Sequence, residues 1–464
     1  GLFTAVIPAL PYGSIVQYRV YASDYAENEA VTDIYSYNVT DKYPPIARIE
    51  EPTSGSALSN KVSIVVFVYD DNFERAELMI NGTVVQSWAS VGTHAFNWDT
   101  EVGMYPDGSY MITLTAYDKE NTRSDTVSVT VDNTLPLGAI SAPAGGSLLK
   151  GTVQVNVTGY DVNLKKTELF IDDTLQQTWT TSGTYTYAWN TLAYSDGNHT
   201  IRLVVSDKAG HVDEKFIIVT VDNTLPTASI VAPSDKSFLK GLVIINVTGY
   251  DANFEIMKLY IGGTLKATFD TSGLKAHAWN TVAHSDLSYE VSLVVLDEAG
   301  NSATAKIMVT VDNTIPVAEI QEPVAGVFVK GVYNVTVYGH DLNLERIRLY
   351  IDANLVETWT VSDTHVYAWN TTEFFDGFYV IKLVVDDKAG NSFEKTVTVG
   401  VDNSPPLIGI PAWAPLEPSV NEPVNVSVIV IEPMSGSGVK NVTLWFRIDS
   451  EWQPIEMTLL KSGN

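Results

Sequence analysis

The chain has no cysteine, which excludes disulfides, thiolate metal sites and cysteine nucleophiles together and leaves packing to hold the fold. It is also poor in positive charge: 28 lysines and arginines stand against 55 aspartates and glutamates, a net charge of −27. That balance argues against nucleic acid and anionic membrane surfaces as partners and favours divalent cations or basic surfaces. No run approaches the roughly 20 apolar residues of a membrane helix. Seven histidines are scattered without pairing, H-E-x-x-H is absent, and no Gly-rich phosphate loop leads from strand to helix. No catalytic residue is assigned, and an enzyme is not expected. The chain opens on Gly1 in place of methionine, which fits a processed protein, an excised piece or one unit of something larger.

What the sequence does have is repetition. Val-Asp-Asn closes at Asn133, Asn223, Asn313 and Asn403, and each copy is soon followed by a proline (Pro136, Pro226, Pro316, Pro405). Lys-Gly recurs at Lys150, Lys240 and Lys330, an aromatic-Asp pair at Asp161, Asp251 and Asp341, and Ala-Trp-Asn at Trp189, Trp279 and Trp369. A step of about ninety residues excludes helical solenoids and short-repeat propellers. It matches one small β-sandwich per repeat, since such domains need about seven short strands spaced 8 to 12 residues apart. The fold class expected is all-β: tandem immunoglobulin-like sandwiches, four complete (45–134, 135–224, 225–314, 315–404) and one divided between the two ends.

In the second repeat, alternating apolar residues mark strands at 139–142, 153–160, 168–171, 176–180, 185–189, 200–206 and 215–221, separated by turn signals such as Asp196-Gly197 and Asp207-Lys-Ala-Gly210. Trp189, with Trp98, Trp279 and Trp369 elsewhere, and a second aromatic at Trp88, Trp179, Phe269 and Trp359, read as packing anchors; a carbohydrate platform is the functional alternative. In this fold the second strand is expected to pair with the fifth, the third with the sixth, and the first with the last.

The two ends read as halves of one domain. Strands expected at 408–410, 424–431, 442–447 and 455–460 supply the first four (405–464). Those at 2–7, 15–22 and 34–39 supply the last three (1–44). Joined end to start, Ser-Gly-Asn464 meets Gly1-Leu-Phe, and Asn-Gly between two strand runs is the strongest short hairpin signal. Neither half closes a core alone. Either the halves are exchanged between successive copies at an inter-copy joint of Gly1 and Asn464, or the sequence is one period of a longer covalent chain. Folding back on itself requires the four intervening domains to bend into a ring.

Oxygen-bearing residues recur where consecutive domains should meet. The exit of one domain carries Asp132 and Asn133, and the next domain's loops carry Asp161, Asn163 and Asp207. The set returns as Asp222, Asn223, Asp251, Asn253 and Asp297, and as Asp312, Asn313, Asp341, Asn343 and Asp387. The split domain follows with Asp41, Asp70, Asn72 and Asp118 at one junction, and Asp402, Asn403, Glu432 and Asp24 at the other. Hard oxygens in this number suit calcium, which takes six to eight at about 2.3–2.6 Å, better than magnesium. The bland alternative is that Asp and Asn only shape turns and linkers.

N-x-S/T sequons occur at Asn38, Asn81, Asn156, Asn198, Asn246, Asn334, Asn370, Asn425 and Asn441, where chance predicts roughly five. Asn156 alternates with Val155 and Val157 and so faces away from a core those valines build. N-linked glycans and an extracellular location are expected.

Val-Asp-Asn-Thr-x-Pro together with Asp387-Lys-Ala-Gly-Asn391 resembles the immunoglobulin-like repeats of bacterial and archaeal surface proteins and giant adhesins. The resemblance implies calcium at domain junctions that stiffens a long stalk. The expectation is an extracellular structural protein on a microbial surface whose copies join head to tail; the alternatives are one repeat of a continuous giant adhesin, a surface-layer subunit or a carbohydrate-binding module.

Overall fold

A computed structural model of the chain describes residues 1–101, 105–433 and 435–460. Two compact units, Gly1–Thr224 and Leu225–Asn464, divide it. Among the described residues every regular element is a strand apart from three single 3-10 turns. None is a helix long and apolar enough to cross a membrane.

The repeat at 135–224 shows how each sandwich is built. Leu137–Ala142 pairs with Thr152–Tyr160, which pairs with Gly183–Asn190, giving a three-stranded sheet. The facing sheet has five strands in the order Leu148–Leu149, Val212–Val221, Gly197–Asp207, Leu164–Ile171 and Thr174–Trp179. The pairings are antiparallel except for the parallel contact of Leu148 and Leu149 with Thr220 and Val221. The same three-plus-five arrangement recurs in the repeats that begin at Ile46, Thr227 and Val317.

All seven strands expected in this repeat are present, most extended by one to four residues. Second pairs with fifth and third with sixth, as expected, but the first does not pair with the last. It pairs with the second, and that ladder stops at Ala142, because Pro143 has no N–H to continue it. The chain then crosses to the other sheet, where Gly146 N donates to Ile218 O at 2.7 Å. Only there does the two-residue strand Leu148–Leu149 reach the last strand.

Alternation fixes the core. Val155 and Val157 are fully buried, and the residues between them face outward. Leu169, Ile171, Ile201 and Leu203 meet them from the opposite sheet, also fully buried. Each such side chain contributes about 1.5–3 kcal/mol. Trp98, Trp189, Trp279 and Trp369 all lie within the cores. Trp189 has Tyr194 and His199 edge-on at 5.3 and 6.0 Å, and Trp369 has Phe374 and Tyr379 at 5.4 and 6.0 Å. The recurrent tryptophan therefore packs the fold and is not a surface platform. Trp88, Trp179, Phe269 and Trp359 are half-buried on the outer strand.

The ends differ from the repeats. Ile15–Tyr18 pairs with Tyr35–Asn38, and Tyr21–Ser23 with Glu29–Val31. At the other end Leu407–Ile408 pairs with Val430–Ile431, Ala412–Ala414 with Asn425–Ser427, and Thr443–Ile448 with Glu451–Glu456. The strand expected at 2–7 does not form: Leu2 and Phe3 are more than nine-tenths exposed. A strand holds only where a neighbour supplies its ladder, and among the described pairings none reaches this stretch.

One packing solution is written twice in different residues. A Cβ on Gly159 would come 2.0 Å from Thr167 Oγ1, one on Gly249 2.6 Å from Met257 Sδ, and one on Gly339 2.5 Å from Ile347 Cδ1. In the first repeat Val68 takes the glycine's place and Ala76 takes that of Thr167, both fully buried. The volume has moved from one strand to its neighbour. Gly339→Val should thus cost about 1–3 kcal/mol by overpacking, and adding Ile347→Ala should recover most of it. Urea unfolding of the two single variants and the double closes the cycle; strictly additive losses would show that the sites do not share this space.

Candidate metal centre at the domain junctions

Each junction begins with the backbone. Asp132 N donates to Leu58 O at 2.9 Å, tying the exit of one sandwich to its own short strand, and Asp222, Asp312 and Asp402 do the same to Leu149, Leu239 and Val329. The Asp132 carboxylate then accepts from Thr134 N (3.3 Å), holding the turn toward Pro136.

Two loops of the following sandwich bring further carboxylates. Asp161 accepts from Asn163 N at 2.6 Å, an Asx turn between the second and third strands. Asp207 closes the hairpin between the sixth and seventh by accepting from Gly210 N (2.7 Å) and His211 N (2.9 Å). Oxygens of Asp132, Asp161 and Asp207 lie within 4.8 Å of one another, and all three residues are buried. Asn163 donates its amide to Asp132 at 2.9 Å.

The second unit repeats the arrangement in Asp312, Asp341 and Asp387, again buried and within 4.8 Å. Asn343 N donates to Asp341 at 2.7 Å and its amide to Asp312 at 2.8 Å. Asn391 binds Asp387 through both its N–H (2.7 Å) and its amide (2.6 Å). Asp41, Asp70 and Asp118 form a third group with the same 4.8 Å spacing. There Asn72 N donates to Asp70 (2.9 Å), and the Asn72 amide nitrogen is enclosed without a hydrogen-bond partner among the described residues. Asp222 has the local setting of Asp132, buried with Thr224 N donating to it at 3.2 Å. In the second unit Asp251 accepts from Asn253 N at 2.7 Å. The fully buried Asp297 accepts from Asn301 N at 2.7 Å, and its Oδ2 has no hydrogen-bond partner among the described residues.

Crowded carboxylates resist losing their protons. Burial pushes Asp161 above the usual carboxylate range, and the charges of Asp132 and Asp207 add to it. Burial, then Asp312 and Asp387, do the same to Asp341, and burial, then Asp41 and Asp118, to Asp70. A divalent cation among such groups replaces proton binding by coordination and removes the repulsion. Three carboxylates plus nearby carbonyl or water oxygens are the donor set of a hard ion.

Asn133, Asn223 and Asn313, expected as ligands, are placed elsewhere. Asn133 turns back into its own sandwich, accepting from Thr100 Oγ1 (2.9 Å) and donating to Thr100 O (3.0 Å). Asn223 and Asn313 make the same pair with Thr191 and Thr281, and Asn403 with Thr371. Successive side chains at a strand end point to opposite sides, so Asp and Asn cannot serve one site.

Sequence reasoning missed the partner of this brace. Asn133 N donates to Asp107 at 2.8 Å, and Asn223, Asn313 and Asn403 donate likewise to Asp196, Asp286 and Asp376 at 2.8, 2.9 and 2.7 Å. Hydrogen bonds from the Thr224, Thr314 and Ser404 side chains hold Asp196, Asp286 and Asp376 below the usual carboxylate range. The roughly ninety-residue spacing of these aspartates is the available signal; of the four, only Asp196 figures in the sequence reading, as part of a turn.

Of the sequon asparagines, Asn38, Asn81, Asn198, Asn334, Asn425 and Asn441 are exposed and Asn156, Asn246 and Asn370 half-buried. Asn370 caps a 3-10 turn and donates its amide to Glu373 at 2.9 Å. Gly1 is exposed; Asn464, the other side of the expected joint, lies outside the described residues.

A bacterial Ig domain family matches residues 45–114 and 136–203. No curated protein matches the sequence. Among solved structures, a tetra-tandem repeat from the extending region of a large adhesion protein is 15% identical, with 78% of this chain and all of that one aligned at a TM-score of 0.33. The fibronectin(III)-like modules of Clostridium thermocellum CbhA are 17% identical over 38% of this chain and 93% of theirs (TM-score 0.27). A titin I-band fragment is 12% identical over 59% of this chain and all of its own (TM-score 0.37). With paired three- and five-stranded sheets in each repeat and two repeats matched by the bacterial Ig domain family, the protein is a tandem array of Ig-like domains.

Proposed function

We propose that the protein is an extracellular structural element of a microbial surface, a stalk or filament in which copies follow one another head to tail. The observation that carries this reading is that the two ends hold complementary strand sets of one sandwich, each with open apolar faces. Residues 1–44 hold one interrupted hairpin and residues 405–460 hold short paired strands, and both leave apolar side chains open, among them Leu2, Phe3, Ile410 and Val420. Open strand edges beside exposed apolar faces seek a partner. The complementary half of the same sandwich, supplied by the next copy, satisfies edges and faces together.

Joining of this heterologous kind does not close on itself and generates an open fibre. A joint through the middle of a sandwich resembles a core cut in two, which buries roughly 2,000 Å² or more in obligate interfaces. A continuous adhesin in which each copy is one period uses the same joint with a covalent link. N-linked glycans at these sequons fit the exposure of most of their asparagines.

In this reading the carboxylate groups Asp41/Asp70/Asp118, Asp132/Asp161/Asp207 and Asp312/Asp341/Asp387 hold calcium. Each ion ties the exit of one sandwich to two loops of the next, so loading stiffens the hinge. With calcium a hundredfold above its dissociation constant the stabilisation is about 2.7 kcal/mol, a rise in melting temperature on the order of 10 °C for domains of this size. Calorimetry with calcium and with chelator measures it. Asp341→Asn should remove the component from its own junction, and identical melting in both buffers, with no metal retained after dialysis, rejects the ion.

The joint has its own measurement. Removal of residues 1–44 should abolish self-association of the chain in light scattering. Native material, fully denatured and deglycosylated, should give a species near 50.7 kDa if subunits exchange strands, and a much larger one if copies are covalently continuous. Unchanged association after the deletion contradicts the head-to-tail joint.

A further inference from the structure

The hairpin at Asp24 reproduces the closing hydrogen bonds of the junction loop of a complete repeat. Asp24 N donates to Asn28 O at 3.1 Å, as Asp387 N does to Asn391 O at 3.0 Å. Asn28 binds the Asp24 carboxylate through its N–H and its amide, both at 2.9 Å, as Asn391 binds Asp387. Glu27 N donates to Asp24 O at 3.1 Å, as Gly390 N does to Asp387 O at 3.3 Å. Glu27 even takes the left-handed backbone, with φ of 63° where Gly390 has 85°. The flanking strands share one register, Ser23 opposite Glu29 and Asp386 opposite Ser392. Tyr25 thus stands in the place of Lys388, and Glu27 in that of Gly390.

Inside the second unit this loop is received by the short strand of the preceding repeat. Lys240 Nζ donates to Gly390 O, and Lys388 Nζ lies 5.4 Å from the centre of the Phe238 ring. The first unit has related contacts: Ser59 Oγ donates to Ala209 O at 3.1 Å, and Lys119 Nζ lies 5.5 Å from the Tyr12 ring centre.

The receiving surface occurs once more. Phe328-Val329-Lys330-Gly331 repeats Phe238-Leu239-Lys240-Gly241, and Gly331 N binds Asn403 at 3.1 Å as Gly241 N binds Asn313 at 3.0 Å. Lys330 is exposed. Nearby in the fold, Asp402 Oδ1 and Glu432 Oε1 are enclosed with no hydrogen-bond partner among the described residues, while Tyr25 is fully exposed.

We infer that the loop Asp24 to Asn28 of one copy docks on Phe328 and Lys330 of the preceding copy, with the Glu27 carboxylate paired to the Lys330 ammonium and the Tyr25 ring against Phe328. The occupant is a second copy of this chain because the chain itself contains both the loop and its receiving surface in assembled form, ninety residues earlier. The joint between copies differs from the joints within a copy in one chemical respect. A backbone carbonyl that accepts from lysine is supplemented by a carboxylate, and a lysine over a ring is exchanged for a tyrosine. A glutamate at positive φ is strained where glycine is not, and the charge it presents is complementary to Lys330. Such a pair governs partner choice and register, and it weakens with salt.

This inference rests on the head-to-tail reading, and the test separates the two. In the full chain, Glu27→Lys and Lys330→Glu should each weaken self-association roughly threefold to tenfold at moderate salt, with thermal unfolding of the monomer unchanged. The double variant restores the pair with its charges exchanged and should recover most of the loss. Carbodiimide coupling of an equal mixture of heavy- and light-isotope chains should yield a Lys330–Glu27 linked peptide that includes heavy–light pairs. If the single reversals leave association untouched, or the double variant fails to recover it, or no linked peptide forms while deletion of residues 1–44 still abolishes association, the latch is wrong and the head-to-tail joint stands. If the wild-type chain does not associate, or associates equally well without residues 1–44, both fall.

Discussion

Three carboxylates enclosed within 4.8 Å of one another repel, and most of what happens at the junctions answers that repulsion. At about 4 Å two unit charges cost several kcal/mol at the effective dielectric of a protein surface. The loops meet part of this with backbone donors: Asn163 N, Gly210 N and His211 N all point at carboxylate oxygens. These bonds occupy Oδ1 of Asp161 and of Asp207 and fix both rotamers, and two side-chain nitrogens reach other oxygens of the group, His211 Nδ1 at 2.7 Å from Asp207 Oδ2 and the Asn163 amide at 2.9 Å from Asp132 Oδ2. Part of the cost, between Asp161 and Asp207, lies within one sandwich, and the rest is added when Asp132 at the exit of the preceding sandwich joins them. A site so arranged makes the relation between consecutive domains depend on whatever neutralises it, which is why the same three positions can set both stability and stiffness.

The period, the alternation and the aromatic anchors were legible in the sequence because each is a local or repeated pattern. Val155 and Val157 announce a face; Trp189 recurs at ninety-residue steps and sits where a large residue must be enclosed. The carboxylates of the site were legible for the same reason. What escaped was governed by direction and by pairs. Asp132 and Asn133 look like one chelating dipeptide until the strand's alternation sends one forward and the other back to Thr100. The Asp107, Asp196, Asp286 and Asp376 clasps needed a partner half a domain away, and the exchange of Gly159 and Thr167 for Val68 and Ala76 appears only when repeats are compared across facing strands. The short strand Leu148–Leu149 is two residues long and leaves no periodicity to read.

The ends carry the same lesson in the opposite sense. There the pattern promised strands at 2–7 and along 15–22, and the structure forms only the parts with an adjacent partner: Ile15–Tyr18 and Tyr21–Ser23. In a complete repeat the equivalent of 2–7 is the fifth strand, whose ladder comes from the second, and the equivalent of 15–23 is the sixth, whose ladder comes from the third and seventh. Residues 1–44 contain the seventh but neither the second nor the third. The hairpin between sixth and seventh therefore survives, down to the Asp24–Asn28 lock, while the fifth is left as chain without a ladder.

That division locates the mechanical strength of a head-to-tail array. Its seam runs between the third and sixth strands of the five-stranded sheet, paired in a complete repeat from Leu164 opposite Asp207 to Ile171 opposite Ile201, and between the second and fifth strands of the three-stranded sheet. An edge-to-edge contact would leave two sandwiches touching through one ladder; a seam of this kind puts a ladder of each sheet and both sides of the core across the boundary at once. Separation then requires exposing the interior of a domain and not merely the rim of one. Polar contacts such as the loop at Asp24 lie at the end of that seam, in water, where they add little to its strength. In the head-to-tail reading their effect would be on alignment, on which end of which copy enters and in what register before the apolar faces close.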